Sequence, residues 1–296
     1  MTHAPQLQLE EALDRFLRDL LGKNRSAGTI RAYRADLQQF ISFLHDTNLV
    51  ATSPLQVTRA DISEYFGSLA DRGLSGVSRA RKLAALREYF KFLVDHGELA
   101  ASPATGMQTP RKERSSKTYL SSSEYTKMLS LAGANPRDYA ILQVFLQCGL
   151  RVSELCSLTL ADVDLPSRLL RVRDGKGMAD RDIELEKNAT TAIKSYLRMR
   201  PAGLSALLFL FLNRYGEPIG ERGVRKLVVK YRREAGIQKK VSCHSLRHTF
   251  ATVKAEKGVS PYQLQQWLGH RSLATTQIYV HLGKQNARRV MEATSL

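Results

Sequence analysis

Along the first hundred residues the apolar positions recur every three or four places, the spacing of amphipathic helices. Leu9, Leu13, Phe16, Leu17 and Leu20 form one stripe, and Ile30, Tyr33, Leu37, Phe40, Ile41 and Leu44 form a second. Asp61 to Ala70 predicts a shorter helix. Leu83, Leu86, Phe90, Leu93 and Val94 stripe a fourth, which begins near Val77 and stops at Gly97. Four such helices bury their stripes by packing as a bundle. Pro103, Pro110 and the pair Ser115-Ser116 then break the pattern, as a linker does. Ser121 and Glu124 have the spacing of a capping box and open a second domain.

The second domain mixes periods. Helices are predicted at 137–148 and 153–159, followed by alternating arms around Gly175 and Gly177 in LLRVRDGKGMADRDIEL (169–185), which read as a hairpin. A further helix is predicted at 188–199. The apolar run from Leu204 to Leu212 reads as a buried strand over 207–212, and the remainder reads as helical to the end. In 221–235, Val224, Leu227, Val228, Tyr231 and Ala235 fall on one side of a helix, with Arg222, Lys226, Lys230 and Arg233 on the other. The expected fold is mainly α with a small β-hairpin or sheet: a helical bundle at 1–108, a basic linker at 109–118, and an α+β domain at 119–296.

Charge adds a partner to this picture. The chain of 296 residues carries 45 Lys and Arg against 28 Asp and Glu, a net +17, which points to a polyanion. Residues 1–108 hold a net +1, 109–118 a net +3 and 119–296 a net +13. Nucleic acid is the expected partner, because no amphipathic anchor with basic flanks suggests a membrane surface. Candidate DNA contacts are Arg79, Arg81, Lys82, Arg87 and Lys91 on the fourth helix, Arg111, Lys112, Arg114 and Lys117 in the linker, and the basic stripe Arg222, Lys226, Lys230 and Arg233. Each set could equally be a solvated face. No run of about 18 apolar residues suggests a membrane span. The N-terminus shows no secretory pattern, and three cysteines without a CxxC pair suit a reducing compartment. The expected location is the cytoplasm.

Candidate chemistry centres on CHSLRH (243–248). Cys243, His244 and His248 could belong to a metal site, but further ligands at suitable spacing are missing, and Arg247 among them would repel a metal and attract a phosphate. No phosphate-binding glycine loop, HExxH or GxSxG is present. Metal-free phosphoryl chemistry needs converging cations, a nucleophile and a proton donor. An ordered set of segments offers them: GLRVSEL with Arg151, GKG with Lys176, HSLRH with His244 and Arg247, LGH with His270, and TTQIYVH with Tyr279. Taken singly each has a bland explanation, Tyr279 being one of 11 tyrosines.

Together these segments resemble the tyrosine recombinases of the lambda-integrase class, most closely the Xer-type members. The resemblance spans essentially the whole chain, from a SAM-like, core-binding N-terminal domain to a tail after the tyrosine. It implies a C-shaped clamp on duplex DNA, acting as a homotetramer or as a heterotetramer with a related recombinase, without cofactor or metal. It implies that Tyr279 attacks the scissile phosphate to form a 3′-phosphotyrosyl link, and that Arg151 and Arg247 grip the non-bridging oxygens. Lys176 would protonate the leaving 5′-oxygen, His244 would assist proton transfer at the nucleophile, and His270 would hydrogen-bond the phosphate. Glu154 would orient Arg151, His248 would support His244 and Arg247 from behind, and the tail at 282–296 would dock on a neighbouring protomer. The sequence departs from the family at Ala179, where many relatives carry a second basic residue in the hairpin, at Cys243 in place of Pro, and at Trp267 in place of Leu. Two other functions stay open on sequence grounds: relaxation of DNA by a type IB topoisomerase, and DNA binding by a catalytically idle regulator.

Overall fold

In the computed structural model the described residues are 7–47, 51–111, 118–173, 180–200 and 208–270. The chain divides into two compact units, Met1–Ser115 and Ser116–Leu296.

The first unit is helical. Its elements are α1 (Leu9–Gly22), α2 (Ala27–Asp46), a 3-10 turn at Pro54–Gln56, α3 (Arg59–Asp71) and α4 (Gly76–Asp95). Three of the helices start on a hydroxyl that accepts a backbone N–H: Ser26 from Thr29, Thr58 from Asp61, and Ser75 from Ser78. The predicted stripes face inward, and Phe16, Leu37, Phe40, Leu44, Ile62, Tyr65, Leu86, Phe90 and Leu93 are buried in one cluster. Phe16 meets Tyr33 and Tyr89 edge-on, and Phe40 meets Tyr65 in the same way, the arrangement aromatic quadrupoles favour.

The basic face expected on α4 is divided by this packing. Lys82 is buried, with its Nζ 2.8 Å from Asp36 Oδ1 and donating to Gln39 Oε1, so it is a core ion pair and not a DNA contact. Its position on α4 turns it toward α2, where the Asp36 carboxylate requires a counter-charge. Arg81 also pairs with Asp36 while remaining largely exposed. Arg87 donates to Thr109 Oγ1 at 3.1 Å and to the Met107 carbonyl, which ties down the segment after the bundle. Arg79 is half-buried, and Lys91 and Arg111 are exposed. Lys112, Arg114 and Lys117 lie outside the described residues.

The second unit begins with α5 (Ser122–Ala132), whose capping box joins Ser121 and Glu124 as expected. It continues through α6 (Pro136–Cys148), α7 (Val152–Ser157), a 3-10 turn at Leu160–Asp162, β1 (Val163–Asp164), β2 (Leu169–Val172) and β3 (Arg181–Glu184). It ends, among the described residues, with α8 (Lys187–Met199), α9 (Glu221–Glu234), α10 (Cys243–Glu256) and α11 (Pro261–Leu268). The strands form an antiparallel sheet in the order β1-β2-β3, with Leu170 opposite Ile183 and Val172 opposite Arg181. The hairpin is therefore present and gains a short third strand that periodicity did not predict.

The strand expected over 207–212 is not formed. Two isolated bridges, Thr159 with Phe209 and Leu212 with Pro218, take its place, and residue 207 lies outside the described residues. Leu210, Phe211 and Leu212 are nevertheless buried. The apolar run marks a core segment rather than a ladder, because Tyr196 Oη and the Arg200 guanidinium take part of its backbone hydrogen bonding.

α9 separates its two faces as the sequence predicted. Val224, Leu227, Val228, Tyr231 and Ala235 are buried, and Arg222, Lys226, Lys230 and Arg233 are exposed. α6 ends on Gly149, in the left-handed conformation at φ 61°. A Cβ there would sit 2.3 Å from the Phe250 ring on α10, so both backbone and packing require glycine. Among the described residues no helix is long and apolar enough to cross a membrane.

Candidate active site

The site is assembled around one buried carboxylate. Glu154 lies in the first turn of α7, where its Oε2 accepts the Arg151 backbone N–H at 2.8 Å and so caps its own helix. The same side chain accepts from Arg151 Nη1 at 2.6 Å, and from Arg181 Nη1 and Nη2 at 3.2 and 2.9 Å. Arg247 Nη1 stands 3.8 Å from it. Burial pushes the Glu154 carboxyl up, but the hydrogen bond and charge of Arg181, with the N–H and charge of Arg151, outweigh it. The carboxyl is held below the usual carboxylate range.

The opposite wall is the end of a helix. α11 stops at Gly269, in the left-handed conformation at φ 59°. Its last carbonyls point at the arginines: Trp267 accepts from Arg181 Nε at 2.7 Å, Leu268 from Arg247 Nη2, and Gly269 from Arg151 Nη2 at 2.7 Å. A helix C-terminus carries partial negative charge, so guanidiniums are favoured there. Arg247 also donates from Nη1 to the Gly149 carbonyl at 2.9 Å. Three guanidiniums are thus held between one carboxylate and three consecutive carbonyls, and their planar forks fit such multiple acceptors.

Arg151 is half-buried at the start of α7. On α10, His244 is exposed, while Arg247 is only 3% exposed and His248 is buried. Arg247 reaches inward, to the Gly149 carbonyl and the end of α11. His248 stands behind His244, their rings edge-on at 4.4 Å. His270 follows α11 directly, and Gln265 Nε2 donates to its carbonyl at 3.0 Å. Lys176, Tyr279 and the tail at 282–296 lie outside the described residues.

Arg181 was missed by sequence reasoning. It is the last residue of GKGMADR, where attention fell on the absent second lysine, and its partners lie 27 and 86 positions away. The available signal was an arginine at the start of an inward-facing strand arm. Cys243 has no part in this cluster. Burial pushes its thiol up to about 11, which keeps it neutral. Among the described residues no group of three or more His, Cys, Asp or Glu side chains converges as metal ligands do.

Comparison with known proteins places the chain in a family. Residues 118–286 match the family model described as phage integrase family, and residues 13–97 match the phage integrase N-terminal SAM-like domain. The chain is 34% identical to the tyrosine recombinase XerD of Listeria innocua over 93% of its own length and 95% of that protein. It is 35% identical to the tyrosine recombinase XerC of Thermodesulfovibrio yellowstonii over 88% of each. Among solved structures it resembles XerA recombinase, with 32% identity, a TM-score of 0.56, and coverage of 97% and 99% of the two chains. It shares the fold of a lambda integrase tetramer bound to a Holliday junction, with a TM-score of 0.77, 18% identity, and coverage of 93% and 78%. On its matched residues, and on curated relatives aligned across nearly their whole length, the chain belongs to the phage integrase family, as a tyrosine site-specific recombinase of the Xer type that breaks and rejoins DNA strands.

Proposed function

We propose that the chain cuts and rejoins duplex DNA through a covalent link between Tyr279 and the 3′-phosphate at a specific site. The observation that supports this best is the arginine cluster, in which Arg151 and Arg247 are held side by side against Glu154 and the end of α11. Attack on a phosphodiester places negative charge on the non-bridging oxygens, and fixed guanidiniums stabilise it without reorganisation. Exposed His244, carried one turn before Arg247, assists proton transfer at the tyrosine, and His270 hydrogen-bonds the phosphate. Lys176 protonates the departing 5′-oxygen. The bond energy passes into the phosphotyrosyl link and returns on religation, so no ATP is needed.

Two sites and four protomers then exchange strands in sequence through a Holliday junction, an assembly supported by the likeness to the lambda integrase tetramer. The tail at 282–296 docks on a neighbouring protomer. The exposed stripe Arg222, Lys226, Lys230 and Arg233 contacts phosphates, as do Arg79, Arg81, Arg87, Lys91, Arg111, Lys112 and Arg114. The protein works in the cytoplasm, where the chromosome is.

The decisive test uses a nicked duplex that traps the covalent intermediate, carrying a site selected from the source genome by its binding to the protein. The wild type should appear on a denaturing gel as a protein–DNA adduct, while Tyr279→Phe binds the duplex and gives none. An adduct that persists in Tyr279→Phe overturns the assignment. Relaxation of supercoiled plasmid lacking the site would instead favour topoisomerase action.

A further inference from the structure

Arg181 is the one member of the arginine cluster that the proposed chemistry leaves without a task. Its side chain is only 10% exposed. Two of its nitrogens lie against both Glu154 oxygens, at 3.2 and 2.9 Å, and the third donates to the Trp267 carbonyl at 2.7 Å. Each of its three side-chain nitrogens therefore donates within the protein. The guanidiniums of Arg151 and Arg247 share the same two walls, but each faces Glu154 with one nitrogen only, at 2.6 and 3.8 Å.

Charge explains why a third guanidinium is useful. A buried carboxylate without a dedicated partner draws the nearest cation into a two-pronged pair, and a guanidinium so engaged has fewer donors for a phosphate. Among these four side chains, three positive charges face one negative, and Arg181 occupies the two-pronged position on that negative. From the site proposed above we infer that Arg181 is a positioning residue: by neutralising Glu154 and bracing it on α11, it keeps Arg151 and Arg247 available to the scissile phosphate. Arg181 itself does not touch the DNA. It opens β3, so the role also fixes the start of that strand to the grip.

The test compares single-turnover cleavage rates at saturating nicked duplex, with duplex affinity and melting temperature measured beside them. Arg181→Met should cleave on the order of 10–100-fold more slowly, the range seen when a group that orients a site's ligands is removed. Its affinity should stay within about threefold of wild type, since a phosphate contact would change affinity and salt dependence together. Removing the carboxylate charge as well should undo the defect, so E154Q combined with R181M should cleave about tenfold or more faster than R181M alone. A purely structural loss would instead worsen in the double variant. R181M at the wild-type rate, or a double variant no faster than R181M, overturns the inference.

If R181M melts below the assay temperature, R181K takes its place, because one ammonium cannot span both Glu154 oxygens and the Trp267 carbonyl. A wild-type rate in R181K then counts against the role. A wild-type protein that never cleaves the duplex refutes the recombinase assignment itself, a result distinct from any of these.

Discussion

Replacing Gly149 with alanine tests whether the join between α6 and α10 is as tight as it looks. Two costs combine there. The residue sits at φ 61°, where a side chain costs roughly 1 kcal/mol. The new Cβ would also lie 2.3 Å from Phe250 Cδ1 and 2.8 Å from Cε1, so the buried ring must move. Overpacking of this kind costs roughly 1–3 kcal/mol, which gives a total of about 2–4 kcal/mol. Gly236, at the end of α9, separates the two costs: it has φ 70° and nothing within 4 Å of its Cβ position, so Gly236→Ala should cost about 1 kcal/mol.

The assay is urea denaturation followed by Trp267 fluorescence. Trp267 is the chain's single tryptophan, and its ring lies 6.2 Å from Phe250, so the signal reports this unit and not the helical bundle. With slopes of about 1–3 kcal/mol per molar urea, Gly149→Ala should move the midpoint down by on the order of 1–2 M, and Gly236→Ala by clearly less. Adding Phe250→Leu should relieve part of the crowding, making the double variant less destabilised than the two single losses combined. Equal midpoints for Gly149→Ala and Gly236→Ala would refute the packing argument. Because the Gly149 carbonyl accepts from Arg247 at 2.9 Å, Gly149→Ala should also slow cleavage.

Three further outcomes follow from the same structure. Lys82→Met leaves Asp36 buried without its closest enclosed partner and should destabilise the bundle by about 3–5 kcal/mol, seen as a lower melting temperature by circular dichroism; a loss under about 1 kcal/mol would deny the pair its place in the core. Neutralising Arg222, Lys226, Lys230 and Arg233 to glutamine should flatten the dependence of log affinity on log salt by roughly 0.9 for each phosphate left without its cation, and an unchanged slope would leave the stripe to solvent. Glu154 has a folded carboxyl below its unfolded value of about 4.3, so its contribution is complete above that pH and lost as pH falls through the lower, folded value. The stability gap between wild type and Glu154→Gln should therefore narrow in acid, and a constant gap would argue against an ionised Glu154.

What the sequence could reveal depended on how local the cause was. The α9 faces were legible because amphipathicity is a property of one helix, and the Ser121–Glu124 box because a cap is settled within one turn. Lys82 was misplaced because its direction depends on Asp36, which lies 46 positions away on another helix. Arg247 was recognised by its motif, yet its burial depends on Gly149 and Leu268, which no spacing rule connects to it. Arg181 escaped because a strand residue shows only which face it takes, not which charges wait there. The run at 207–212 looked like a strand because apolar composition records burial and says nothing of which backbone partners are near.

The way α11 ends has a dynamic consequence. Helix termini are usually the first places to open, since their last carbonyls lack helical partners. Here those carbonyls are taken by Arg181, Arg247 and Arg151 in succession. Loosening the last turn of α11 and dispersing the three guanidiniums are therefore one event. The free-energy cost of that local opening sets what fraction of molecules hold the cluster assembled, so the stability of a single helical turn is also the stability of the arginine cluster.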